Sequence, residues 1–154
     1  MKYILLLVVA FIVSVTAVAQ TPSKRAGHFN LENKVAIQGY DPVAYFKQQK
    51  AVKGKKEISM SHQGVVYYFS TDANKATFIK NPSGYEPQYG GWSAFAMGDY
   101  GEKVQIDPET FKIVDGKLYL FYNQFFNNTL KGWNKNEIGL KKKADANWGK
   151  IIKN

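Results

Sequence analysis

Two glycine-centred turns between β-branched and aromatic runs, followed by a C-terminal stretch with apolar residues every three or four positions, predict a small single α+β domain. In it, β-hairpins pack against a few helices, including a basic C-terminal helical segment. The chain has 154 residues, enough for one domain of ordinary size and too few for two. With 21% charged and 15% aromatic residues, its composition does not fit a disordered chain.

The elements follow in order. Residues 1–19 read as a secretory signal peptide. Lys2 precedes an unbroken apolar run from Ile4 to Val13, and Ala17-Val18-Ala19 supplies the small-x-small cleavage pattern. That run is well short of the roughly 20 residues a spanning helix needs. Cleavage after Ala19 would leave Gln20 first and place the protein in a periplasm or outside the cell. Residues 20–30, polar with Pro22 and Gly27, read as a flexible lead-in. From residue 31 to 154 no linker, low-complexity run or internal repeat interrupts a single domain.

Within it, Gly39-Tyr40-Asp41-Pro42 is a turn signal that opens a short apolar segment at Val43-Ala44-Tyr45-Phe46. Glu57 to Ser61 and Val65 to Phe69 flank Gln63-Gly64 as one hairpin; Phe111 to Val114 and Leu118 to Tyr122 flank Asp115-Gly116 as a second. Thr71-Asp72 caps a helix through Ala76, Phe78 and Ile79 that Pro82 stops. Leu130, Trp133, Leu140, Ala144, Trp148 and Ile151 keep helical spacing, while Gly132, Gly139 and Gly149 weaken the case for one unbroken helix.

The segments DPVAYF (Asp41 to Phe46) and YYFSTDANKATFIKNPSGY (Tyr67 to Tyr85) resemble the YHS domain, a module related to TRASH-type metal-binding segments. GYDPVAYF, PQYGGW, DGKLYLFY and the late Ala144, Asp145 and Trp148 are similar to recurring pieces of longer exported YHS-like proteins, so the resemblance spans nearly all of residues 31–154. It implies a role in metal handling, copper in particular. The family's thiolate positions fall on Ala44, Ser70 and Asn74, and a further frequent cysteine falls on Ser93.

The chain has no cysteine, which excludes disulfides, thiolate metal sites, cysteine nucleophiles and lipidation through an N-terminal Cys. Soft thiolates are what select Cu(I) or hold zinc at such spacings, so the implied metal chemistry does not transfer to these positions. The remaining metal candidates are His62 and Met60, an i, i+2 pair on one strand face; the other histidine, His28, lies in the lead-in. No cofactor is assigned, and copper enters only through that pair.

A separate candidate is the segment Tyr85 to Ser93. Its glycines permit close backbone approach, and its aromatics can wall a pocket. Tyr85, Gln88, Tyr89, Trp92 and Ser93 would contact a small ligand or partner protein, with Glu86 as a further polar group and Asp41 and Tyr45 as further lining residues. Gly91-Trp92-Ser93-Ala94-Phe95 resembles a nucleophile elbow but carries Phe95 where that motif needs glycine, leaving no complete catalytic constellation.

Of 21 basic residues against 12 acidic, for a formal charge of +9, seven lysines fall late in the chain. Lys141-Lys142-Lys143 near Trp133 and Trp148 could meet an anionic membrane surface or glycan, but the pattern favours the solvated face of an amphipathic helix whose aromatics face the core. Nucleic acid is not an expected partner for an exported protein. The expected function is thus an exported, non-enzymatic YHS-like binding module with its thiol ligands lost. The alternatives are a small-ligand or protein-interaction module using residues 85–93, and a hydrolase-type enzyme. The partner is a metal ion, a small ligand or another exported protein.

Overall fold

The molecule is built around two hydrophobic cores that share one strand. The computed structural model describes residues 21–154, so the expected signal peptide and its cleavage point lie outside the described residues. The elements are α1 (Pro22–His28), β1 (Leu31–Glu32), β2 (Val35–Ala36), α2 (Ala44–Lys47), β3 (Lys55–His62), β4 (Val65–Phe69), α3 (Asp72–Lys80), α4 (Pro82–Tyr85), α5 (Ala94–Asp99), β5 (Asp107–Val114), β6 (Lys117–Phe121), β7 (Asn123–Gln124), β8 (Asn127–Asn128), α6 (Thr129–Lys135) and α7 (Glu137–Lys153). This is the expected small α+β domain. Among the described residues no helix is long and apolar enough to cross a membrane.

Both expected hairpins form on their glycine turns. Gln63 and Gly64 have φ of 48° and 85°, and Asp115 and Gly116 have 51° and 69°, the doubly positive pattern that matches strand twist. α3 starts where Thr71 accepts a hydrogen bond from the Asn74 amide and stops before Pro82. The C-terminal periodicity resolves into two helices, and the break falls at Asn136 rather than at a glycine.

β6 carries the fold's central packing decision. Its alternating side chains enter both cores: Leu118 and Leu120 join Tyr45, Val65, Tyr67, Phe69 and Phe78, while Tyr119 and Phe121 join Tyr89, Met97, Trp133, Leu140 and Ala144. A strand buried on both faces reads as an apolar run, which LYLF is.

Two expectations need correction. Residues 21–30 are an ordered strap rather than a flexible lead-in. Thr21 caps α1, Pro22 stands in its first turn, and the strap is fixed when Arg25 pairs with Glu86 and Asn30 donates its backbone N–H to the Gly90 carbonyl. The chain also contains an internal repeat, with an offset of 52 residues. The parallel contact Val35–Val66 returns as Pro87–Leu118. Left-handed turns at Ile37-Gln38-Gly39 (φ 53°, 51°, 82°) and Tyr89-Gly90-Gly91 (φ 55°, 60°, 83°) each precede an aromatic residue and a buried polar one.

The correspondence continues at the level of single bonds. Asp41 donates its N–H to the Val52 carbonyl (2.8 Å), and Ser93 donates its own to Val104 (2.9 Å). The register of β3 on β4 slips between Lys55 and Ser59, and that of β5 on β6 between Asp107 and Phe111. Phe78 packs on Tyr67 and Phe69 as Trp133 packs on Tyr119 and Phe121. α3 and α6 end at asparagines of matching conformation, Asn81 (φ −154°, ψ 69°) and Asn136 (φ −149°, ψ 51°). The cores are two copies of one packing unit joined back to back through β6.

Candidate functional site

The first half closes around Asp41, which is fully buried. One carboxyl oxygen accepts from the backbone amides of Val43 (2.8 Å) and Ala44 (3.3 Å), fixing the start of α2. The other accepts from the Ser70 amide (2.7 Å), the Ser70 hydroxyl (2.7 Å) and the Asn74 side-chain amide (2.8 Å). Ala44, Ser70 and Asn74, the positions the resemblance aligns with thiolates, thus converge on one carboxyl. Five donors saturate it, so Asp41 ties α2, β4 and α3 together and lines no ligand pocket. Tyr45 is likewise removed from the expected site. It is fully buried, donates its hydroxyl to the Pro108 carbonyl (2.8 Å), and burial pushes that phenol well above its ordinary range.

The equivalent centre of the second half is different. Ser93 is fully buried, and its hydroxyl oxygen accepts longer bonds from the amides of Ala96 (3.5 Å) and Tyr122 (3.3 Å). A pocket of about 190 Å³ opens beside it, lined by Ser93, Ala96, Tyr122 and Thr129 among others. Ser93 therefore caps α5 rather than contributing to the aromatic segment before it.

The larger cleft, about 360 Å³, lies between the 83–90 segment, the end of the α1 strap and α7. Phe29, Tyr89 and Trp148 supply aromatic surface, and Glu86, Gln88 and Asp145 supply polar groups. Gly90, at φ 60°, lets these walls approach: a Cβ there would stand 2.9 Å from the Trp148 ring and 3.1 Å from the Phe29 Cα. Tyr89 holds φ 55° without being glycine and donates its hydroxyl to Asp145 (2.8 Å). Burial and that carboxylate push its phenol far above the ordinary range. Left-handed backbone on a buried aromatic is a costly conformation, held here by packing on Tyr119 and the Asp145 bond.

Behind Glu86, one wall of the cleft is backed by a partly buried ionic cluster. Glu86 engages the Arg25 guanidinium through both oxygens and accepts the Tyr67 hydroxyl, while the Arg25 guanidinium also lies 4.4 Å above the Phe29 ring. Burial, then the Glu86 charge, push the Tyr67 phenol well up. His62 Nε2 stands 3.9 Å from Glu86, and its ring packs edge-on against Phe78. Met60 packs against the first core. Among the described residues no group of three or more His, Cys, Asp or Glu is placed to hold a metal ion.

Of the expected ligand residues, then, Gln88 and Tyr89 share the cleft, with Glu86. Tyr85 packs edge-on against Phe46, and Trp92 donates its indole N–H to the His28 carbonyl (2.8 Å), so neither lines it. Phe29, Asp145 and Trp148 are cleft residues that lie far from the motif in sequence. No protein-family model, no curated protein and no solved structure matches this chain.

Proposed function

We propose that this protein is an exported, non-enzymatic binding module of the kind its YHS resemblance implies, and that it takes a small organic ligand in the Phe29–Tyr89–Trp148 cleft. The observation that carries this reading is the composition of the cleft. Three aromatic side chains wall it, and beside Glu86, whose oxygens are already taken by Arg25 and Tyr67, the polar groups of Ser83, Gln88 and Asp145 face a ligand. Such a lining suits a flat apolar body with a hydrogen-bond-donating end, such as an amine or amide. The hydrolase alternative loses support because Ser93 serves as a helix cap and the pocket beside it is lined, among the described residues, by no His, Asp or Glu to act as its base. The copper alternative rests on His62 and Met60, whose side chains face Glu86 with Phe78 and the first core respectively.

The test is a screen of aromatic amines and amides against the protein from Gln20 onward, read by thermal shift and tryptophan fluorescence. Trp148→Ala and Gln88→Ala are expected to weaken a hit by roughly tenfold or more, with Ile138→Ala, at an exposed position outside the cleft, leaving it unchanged. Binding indifferent to Trp148→Ala would remove the cleft from consideration. An anaerobic Cu(I) titration showing stoichiometric binding that His62→Ala abolishes would put the metal reading in its place.

A further inference from the structure

The two halves differ most sharply just after their shared strand. In the first half β4 runs directly through Ser70 into the Thr71 cap of α3; in the second, the β7–β8 hairpin is inserted between β6 and the Asn128 cap of α6. Its two-residue tip is Phe125-Phe126, with φ of 50° and 62°. Phe125 is 87% exposed and Phe126 fully so. That backbone favours Asn-Gly: the β3–β4 and β5–β6 hairpins carry glycine at their second turn position, and the β1–β2 hairpin turns on the polar pair Asn33-Lys34 (φ 50° and 70°). Here both positions hold a bulky L-residue in a left-handed conformation and expose it to water, which local stability does not favour.

We propose that the Phe125-Phe126 tip is a membrane-contact element that inserts its two rings into the interface of an anionic lipid surface. The tip is a convex point, so it needs no complementary pocket, and lipid accepts it without one. From Leu118 to Leu130 the chain carries no Asp, Glu, Lys or Arg, and the first charges on either side are Lys117 and Lys131. Asn123, Gln124, Asn127 and Asn128 therefore surround the rings with uncharged polar groups, which enter a headgroup layer at lower desolvation cost than ions. Tyr100, 61% exposed, lines the same small pocket as Asn127 and adds an amphipathic ring at this end of the molecule. The whole chain carries +9, which attracts it to an anionic surface. The contact runs through the hairpin tip and not through the lysine-rich C-terminal helix.

The test uses the protein from Gln20 onward, which contains every residue of both cores, with phosphatidylglycerol/phosphatidylethanolamine vesicles and pure phosphatidylcholine vesicles. The wild type is expected to sediment with the anionic vesicles, and F125N/F126G is expected to lose roughly a hundredfold in vesicle affinity. That variant installs the residues the turn prefers, so it keeps the fold. In a second variant, Phe126→Trp, the new indole is expected to shift to the blue and be quenched by lipids labelled at shallow depth. Vesicle binding that survives F125N/F126G would overturn the proposal in favour of the C-terminal lysines. Absence of vesicle binding, or indole emission in the Phe126→Trp variant that ignores the lipid, would overturn it in favour of a protein pocket as the tip's partner.

Discussion

The two halves of the molecule share their turns, strand bulges, capping bonds and aromatic triads, yet the first is closed and the second open. Where the first half buries Asp41 under five hydrogen bonds, the second places Ser93 with two long ones beside a 190 Å³ pocket. Where the first half ends in the four-residue α4, the second continues into the 17 residues of α7, which carry Asp145 and Trp148 to the cleft. Where the first half passes straight from strand to helix, the second inserts the phenylalanine hairpin. Departures of the second half from the first thus supply the far wall of the cleft and the whole exposed tip. The first half acts as the fixed frame against which those additions are held.

The sharpest way to break this comparison is to truncate the two centres in parallel. Asp41→Ala strands buried donors on Ser70, Asn74, Val43 and Ala44, and is expected to cost about 3–5 kcal/mol. Ser93→Ala removes a cap with long bonds and is expected to cost about 1 kcal/mol. Urea unfolding of both variants measures the difference. Equal costs would mean that the two centres do the same structural work and that the contrast is only one of residue type. Because β6 belongs to both cores, each variant is also expected to shift one cooperative transition rather than split it.

A smaller effect separates the two left-handed turns. Gln38 and Gly90 are equivalent, at φ 51° and 60°. Gln38 uses its side chain to donate to the Ile106 carbonyl (3.1 Å), whereas Gly90 lies under Trp148 and Phe29. Gly90→Gln is expected to cost about 2–3 kcal/mol through steric overlap and left-handed strain. It should also close the cleft, so ligand affinity falls with stability. Gln38→Gly trades one hydrogen bond for relief of strain and is expected to be within about 1 kcal/mol of wild type. Both are read by urea unfolding.

What was legible in the sequence follows the same division. The two hairpins could be read because Gln63-Gly64 and Asp115-Gly116 are residue pairs whose chemistry dictates the turn. The repeat could not, because only seven of the 35 positions paired from Ile37 and Tyr89 onward are identical. What recurs is backbone conformation and hydrogen-bond pattern, which Ile37 and Tyr89, Gln49 and Gly101, or Asp41 and Ser93 satisfy with different side chains. For α1 a local signal was present, Thr21 before Pro22. The strap is held, however, by Arg25 on Glu86 and Asn30 on Gly90, some 60 residues away, and no local pattern encodes such contacts. The cleft was half legible for the same reason: Gln88 and Tyr89 lie in the distinctive motif, whereas Phe29 and Trp148 reach it through the tertiary fold.

That strap gives the finest distinction between the halves. It docks on the second left-handed turn, where His28 accepts the Trp92 indole N–H through its carbonyl while its own Nε2 is buried without a partner among the described residues. Burial, then the charges of Lys103 and Lys24, hold the His28 imidazole below its ordinary value of 6.5. The unfolded chain therefore takes up this proton before the folded one does, so stability is full above about pH 6.5 and declines as pH falls through the interval down to the lowered folded value. Glu137 adds a separate loss at lower pH. The Lys112 hydrogen bond holds its carboxyl below 4.5, so its stabilisation is present above that value and disappears as pH falls through the folded one. His28→Gln is expected to flatten only the first of these two declines, an effect smaller than those at either centre or either turn. Trp92 is the natural reporter: the protection factor of its amide, the exchange rate corrected for the intrinsic pH dependence, should fall on acidification in the wild type and stay constant in the variant, while that of Tyr40, its counterpart in the first half, stays constant in both. An acid-induced loss of protection at Tyr40 matching that at Trp92 would show that the strap does not distinguish the two halves.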